Sequence, residues 1–82
     1  MITALDPVVL TNELPEHGLR AGDVGTVVLV HRNGEGFEVE FVALDGETVA
    51  VATLFASQVR SIQRREITHA RKVESVFALG TT

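Results

Sequence analysis

The stretch Phe37-Glu38-Val39-Glu40-Phe41 alternates strictly between apolar and acidic residues, and this alternation decides the fold class. Successive side chains of a β-strand point to opposite faces of the sheet. The three apolar residues therefore share one face, and the two glutamates share the other. Such a segment is typical of a half-buried β-strand.

Two tight reversals join this strand to its neighbours. Before it, residues 26–30, which are β-branched except for Leu29, are followed by Asn33-Gly34, a pair that tolerates positive φ and is typical of hairpin turns. After it, Asp45-Gly46 is a second preferred reversal and leads into residues 48–54, another apolar run. The pattern predicts a three-stranded meander.

The third strand of the meander has two candidate inward faces. One consists of Val49, Val51 and Thr53, and the other of Thr48, Ala50, Ala52 and Leu54. A shift of one residue in register exchanges these faces. The larger valines favour the first register.

Shorter segments at both ends complete a five-stranded sheet. Residues 8–10 are a short apolar strand, and residues 11–20 form a long polar loop. Residues 55–58 fit one helical turn, and residues 59–62 fit a closing strand. This order predicts an all-β fold, a small five-stranded SH3-like barrel with a one-turn helix before the last strand. A barrel is favoured because closing the sheet hides the edges of its outer strands. An open sheet, with a partner or the tail along its edge, is the alternative.

The chain divides into a barrel domain, residues 1–63, and a C-terminal extension, residues 64–82. Helical spacing in the extension predicts a short amphipathic helix that buries Ile67, Ala70, Val73, Val76 and Phe77. Residues 72–79 fit an additional strand equally well. In both cases the apolar residues need burial, against the barrel or against a second copy, so residues 64–82 are a candidate homo-oligomer interface.

Composition limits the compartment and the chemistry. The chain has 82 residues and no cysteine, which excludes disulfides, thiolate zinc sites and cysteine nucleophiles. No apolar run reaches the roughly 18 residues needed to cross a bilayer, and no signal-peptide pattern is present. These features predict a cytoplasmic protein that does not enter a membrane.

Charge is distributed unevenly along a chain whose net charge is −4. Residues 1–59 are strongly acidic, whereas the C-terminal segment is basic and contains Arg60, Arg64, Arg65, Arg71 and Lys72. Clustered cations are the residues that contact phosphates, so this segment is the candidate for nucleic-acid binding. The absence of Tyr and Trp removes the best base-stacking groups and weighs against that function.

The stretch Gly22-Asp23-Val24-Gly25 has two interpretations. Small residues let backbone amides approach a phosphate, but no Lys-Ser or Lys-Thr pair follows and Asp23 would repel the anion. A structural turn is therefore favoured. In this turn Gly22 and Gly25 supply special backbone angles, and Asp23 bonds nearby amides.

Neither a catalytic set nor a metal site emerges from the polar residues. The three histidines, His17, His31 and His69, lack metal-ligand spacing. Ser57 and Ser61 have no histidine placed to act as a base. We therefore expect no metal, no cofactor and no enzymatic activity.

One stretch carries a family resemblance: Leu14-Pro15-Glu16-His17-Gly18-Leu19-Arg20-Ala21-Gly22-Asp23-Val24-Gly25-Thr26-Val27-Val28. It resembles the small bacterial family called domain of unknown function 4926. The likeness continues through residues 37–41, 45–48 and 54–60, and covers roughly residues 7–62. The resemblance implies a free-standing barrel and no assigned activity.

These observations predict a non-catalytic protein-interaction or accessory module, such as the small partner of a neighbouring enzyme or toxin. Its candidate partner-binding residues are Glu38, Glu40, Arg60, Arg64 and Arg65. The alternative is a nucleic-acid-binding small barrel that acts through the basic C-terminal segment.

Overall fold

Five antiparallel strands form one sheet in the computed structural model, which describes residues 1–74. In chain order they are β1 (Pro7–Leu10), β2 (Val24–His31), β3 (Gly36–Val42), β4 (Thr48–Phe55) and β5 (Val59–Ser61). Two single-turn 3₁₀ helices lie at Pro15–His17 and Ala56–Gln58. The strand order across the sheet is β4-β3-β2-β1-β5. The predicted all-β fold, with a one-turn helix before the last strand, is confirmed.

Strand β2 belongs to both halves of the sheet because it changes partner along its length. Its first residues pair with β1, and the residues from Thr26 onward pair with β3. The register with β3 shifts between Val27 and Leu29, which leaves Val28 without an opposing residue. Such a bulge bends a strand and increases its twist. The bend lets one continuous sheet wrap around a single core, as in an SH3-like barrel.

The core lies on the inner face of this wrapped sheet. Phe37, Val39 and Phe41 are buried at 3%, 0% and 2% exposure, as the alternation predicts. The long first loop contributes Leu14 and Leu19, which form an isolated β-bridge and are both buried. The loop is therefore packed against the barrel through these two leucines.

The register favoured for β4 is wrong. Ala52 and Leu54 are buried, whereas Val51 is 54% exposed. The ladder places Leu54 opposite Phe37 and Ala52 opposite Val39, so the alternate set faces the core. The buried face of β3 therefore selects the β4 residues that lie directly opposite it, whatever their size.

Residues 62–74 follow β5 with neither a helix nor a strand. The helix or strand predicted within residues 67–79 is therefore not formed up to residue 74, and the rest of that prediction lies outside the described residues. In residues 1–74 no helix is both long and apolar enough to span a bilayer.

Candidate functional site

The two glutamates of β3 lie on the outer face of the sheet and are held by neighbouring strands. The Thr53 hydroxyl donates a hydrogen bond to Glu38 Oε2 at 2.6 Å, and His31 Nε2 lies 2.8 Å from the same oxygen. The Thr48 hydroxyl donates to Glu40 Oε2 at 2.9 Å. Hydrogen bonds from Thr53 and His31 lower the pKa of Glu38 below its ordinary value. The acidic face is thus an ordered surface beside β4.

Arg60 lies on β5 and is paired within its own chain. Its guanidinium donates to both carboxylate oxygens of Glu66, at 2.9 and 2.7 Å. The backbone N–H of Gln63 also donates a hydrogen bond to Glu66 Oε1, at 2.5 Å. The hydrogen bonds from Arg60 and then Gln63 lower the pKa of Glu66 to about 2. This ion pair anchors the start of the C-terminal extension.

The five predicted partner-binding residues occupy different parts of the fold. Glu38 and Glu40 lie on β3, whereas Arg60 lies on β5, with β2 and β1 between those strands. Arg64 and Arg65 are exposed in a turn after β5, where Arg65 has a φ of 67°. The acidic and basic candidates therefore do not share one strand pair.

The turn before β2 has the geometry of a structural turn. Gly22 has a φ of 96°, which favours glycine, and the Asp23 carboxylate accepts the Arg20 amide at 2.7 Å. Gly25, in contrast, does not have a positive φ; a glycine is needed there because the core packs closely against it. A Cβ atom there would lie 2.5 Å from Val39 Cγ1 and 2.8 Å from Phe41 Cε1.

Asp23 also binds Arg71, a contact that the sequence analysis missed. Arg71 Nε donates to Asp23 Oδ1 at 3.1 Å, and Arg71 Nη2 donates to both Asp23 Oδ2 and the Gly18 carbonyl oxygen, the latter at 3.3 Å. Both charged side chains are only 20% exposed. We call Gly18, Asp23 and Arg71 the loop–tail site. No local pattern reveals it, because its partners are 48 and 53 residues apart.

Among the strands formed by residues 1–74, β4 is the last on its side of the sheet. The Ala56 amide donates to the Glu35 carbonyl at 3.0 Å, and the antiparallel ladder alternates from there. Ala52 and Leu54 therefore bond to β3, whereas Val51 and Thr53 direct their backbone N–H and C=O groups away from it. The side chains of Val51 and Phe55 are exposed at 54% and 74%. We call Val51, Thr53 and Phe55 the β4 edge.

A cleft adjoins one end of the β4 edge. Its lining includes His31, Gly36, Thr53, Leu54 and Phe55, and is mostly apolar. The cleft offers space for a side chain beside the exposed Phe55 ring.

In the part of the chain that the structure describes, no group of three or more His, Asp or Glu side chains could hold a metal ion. The Thr53–Glu38–His31 hydrogen bonds are the main polar cluster on the outer face. This cluster forms because Glu38 lies directly opposite Thr53 in the pairing of β3 with β4. That pairing follows from the hairpin register, which the alternation of β3 alone does not specify.

Comparison with known proteins gives a family and nothing more specific. No curated protein matches the chain, and no solved structure matches it. The family model described as domain of unknown function (DUF4926) matches residues 4–61. The match includes all five strands and ends with the last residue of β5. The chain therefore belongs to the DUF4926 family of domains of unknown function.

Proposed function

We propose that this protein is a non-catalytic interaction module that binds an extended segment of a partner protein as an additional strand on the β4 edge. One observation supports this proposal above all others. The edge residues of β4 direct backbone hydrogen-bonding groups outward beside exposed apolar side chains. An added strand satisfies such groups and gains affinity from main-chain hydrogen bonds.

The opposite edge of the sheet supports the proposal by contrast. Soluble proteins protect free edges with short strands, charges or prolines. Strand β5 has three residues and carries Arg60, so it follows that rule. Strand β4 has eight residues, none of them charged and none of them proline. No strand within residues 1–74 pairs with this edge, and we attribute an edge strand of this length and composition to a partner that covers it.

The surroundings of the β4 edge define the chemistry of that partner. Val51 and Phe55 are four residues apart on one face and can contact two apolar side chains with the same spacing on an added strand, and the cleft beside Phe55 can take one of them. Glu38 and Glu40 lie on the same outer face. A partner segment with apolar residues opposite Val51 and Phe55, and a basic residue between them opposite Thr53, would place all three side chains on this face and complement both features.

We place this module in the cytoplasm, as the small partner of a neighbouring enzyme or toxin. The absence of cysteine supports a reducing compartment. Nucleic-acid binding is less well supported, because Arg60 and Arg71 are each held by a carboxylate within the chain. Phosphate contacts would have to rely on the remaining cations of the segment, which include Arg64 and Arg65.

Capture from the native host with matched variants tests the proposal. Val51→Lys places a charge on the β4 edge, and Val24→Lys is the control, because Val24 is similarly exposed at 45% but lies on β2. We expect one partner to be retained by the wild type and by Val24→Lys and lost by Val51→Lys. Equal capture by all three proteins would overturn the proposal.

Hydrogen exchange on the purified complex tests the mode of binding. The Val51 and Thr53 amides should become protected at least about tenfold on binding, whereas the Ala52 and Leu54 amides are protected in the free protein. A complex that leaves both edge amides unprotected would exclude strand addition. Binding of random-sequence RNA or DNA at physiological salt, abolished by Arg64→Glu with Arg65→Glu, would favour the nucleic-acid function instead.

A further inference from the structure

We infer that the loop between β1 and β2 carries a recognition site for a guanidinium group, which takes an arginine within an extended peptide segment. The carboxylate of Asp23 and the carbonyl oxygen of Gly18 form this site. Arg71 of the chain's own C-terminal extension is its resident ligand. The site is separate from the β4 edge.

The acceptors of the site match the shape of a guanidinium. Arg71 Nε donates a hydrogen bond to Asp23 Oδ1, and Arg71 Nη2 donates to Asp23 Oδ2 and to the Gly18 carbonyl oxygen. Three acceptors thus surround one planar donor group. A lysine ammonium is a single point of charge and cannot reproduce the paired contact, so the geometry selects arginine.

The Asp23 acceptor is held in place by contacts that do not involve Arg71. The Leu10 amide donates to the Asp23 carbonyl at 2.9 Å, which ties the turn to β1. The Arg20 amide donates to the Asp23 carboxylate at 2.7 Å and sets its orientation. Because the barrel positions this carboxylate, the site persists when the arginine leaves.

A second carboxylate increases the negative potential around the site. Glu13 is held over the loop because the Ala21 amide donates to its Oε2 at 2.9 Å. The hydrogen bond to Asp23, with a smaller contribution from the charge of Glu13, raises the pKa of Arg71. Two fixed carboxylates near one guanidinium favour a cationic ligand over a neutral one.

Gly18 provides room for the backbone that follows the arginine. A Cβ atom at Gly18 would lie 3.0 Å from the Glu74 carbonyl oxygen and 3.5 Å from Val73 Cγ1. The chain from Arg71 to Glu74 therefore passes directly over this glycine, in a conformation that is neither helix nor strand. An incoming peptide needs the same open surface, so it competes with the C-terminal extension.

Titration of the emptied site with a peptide tests this inference. The full chain carrying Arg71→Ala is the receptor, and the probe is a capped peptide with the sequence of residues 67–74. Amide NMR signals of Arg20 and Gly22 report binding. We expect saturable shifts with this peptide, and affinity weaker by at least about tenfold when its arginine is replaced by alanine or lysine.

Three further proteins make the result specific. The wild type should bind the probe at least about tenfold more weakly than the Arg71→Ala chain, since its own arginine fills the site. Lys72→Ala removes the same charge from the next residue and should behave like the wild type. Asp23→Asn combined with Arg71→Ala should lose the shifts. Equal binding of the arginine and alanine peptides, or no saturable shift in the Arg71→Ala chain at millimolar peptide, would overturn the inference.

Discussion

The β4 edge and the loop–tail site are two surfaces of one small barrel, and they differ in whether the chain covers them with its own residues. At the loop–tail site, the chain covers a charged acceptor group with its own arginine, and both partners are only 20% exposed. At the β4 edge, no strand of residues 1–74 pairs with the outward backbone groups, and the Phe55 side chain is 74% exposed.

This difference separates a surface that the chain covers with its own residues, and so uses to stabilise the fold, from a surface that residues 1–74 leave uncovered. A covered charge pair contributes to folding, so its removal should lower the free energy of unfolding. An open edge contributes little to folding, so its alteration should change binding alone. Substitutions on the two surfaces should therefore have separable effects, and we order the predictions by the expected change in stability.

Among the test substitutions, apart from the Ala52→Lys control below, the largest effect should come from Gly25, which packs against the core. In Gly25→Val the new side chain would overlap Val39 and Phe41 of the core. We expect the free energy of unfolding to fall by about 1 to 3 kcal/mol, because overpacking displaces both residues. Urea denaturation followed by circular dichroism measures this value, and an unchanged midpoint would contradict the close packing.

A pair of glycine substitutions isolates the contact between loop and tail. Gly18 and Gly22 both have positive φ, at 70° and 96°, so alanine at either position should cost about 1 to 2 kcal/mol. Only Gly18 lies under the tail, next to Glu74, whereas nothing lies within 4 Å of a Cβ atom at Gly22. Gly18→Ala should therefore destabilise more than Gly22→Ala in thermal unfolding. Equal losses would show that the tail does not rest on Gly18.

Removal of the Asp23 charge should have a moderate effect. Asp23→Asn keeps the size of the side chain but loses the ion pair with Arg71, and we expect a loss of about 1 kcal/mol at low salt. The loss should shrink in 1 M NaCl, because salt screens a partly exposed pair. If Arg71→Ala combined with Asp23→Asn costs the full sum of the two single losses, the residues do not interact.

A charge on the open edge should hardly affect folding. Val51→Lys should change the free energy of unfolding by no more than about 0.5 kcal/mol, since Val51 is 54% exposed and its backbone groups point away from β3. Ala52→Lys, one residue along, should unfold the barrel because Ala52 is 4% exposed. A comparable loss at both positions would show that the β4 edge is packed.

The smallest effect concerns acid stability and the Arg60–Glu66 pair. The pKa of Glu66 is lowered to about 2 from an ordinary value of 4.5, so its stabilising contribution is present above pH 4.5 and is lost as the pH falls towards 2. In Glu66→Gln this part of the pH dependence should disappear, while Glu47→Gln, on the β3–β4 turn, should retain it. Melting temperatures between pH 5 and pH 2 measure the effect.

The fold was predictable from local patterns because each pattern needs only neighbouring residues. The alternation around Val39 predicts a strand, and the Asn33-Gly34 and Asp45-Gly46 pairs predict the reversals on either side of it. Backbone angles at the turns agree, with φ of 58° at Asn33, 104° at Gly34 and 96° at Gly46. These preferences depend on only a few consecutive residues, so they can be recognised without knowledge of the rest of the chain.

The inward face of β4 was not predictable in the same way. Valine is larger than alanine, and local reasoning places the larger residue inside. The observed register buries Ala52 and Leu54 because they lie opposite Val39 and Phe37, on the buried face of β3. Only the pairing of whole strands determines which side chains of β4 face the core.

The sequence alone therefore predicts the strands, the turns and the resemblance to the family, since local patterns and the stretch of residues 14–28 carry that information. The tertiary structure decides which surfaces are open. Asp23 and Arg71 are 48 residues apart and meet only when the chain folds, and β4 is an edge only because of the strand order. Distances across the fold depend on the whole chain, and no short stretch specifies them.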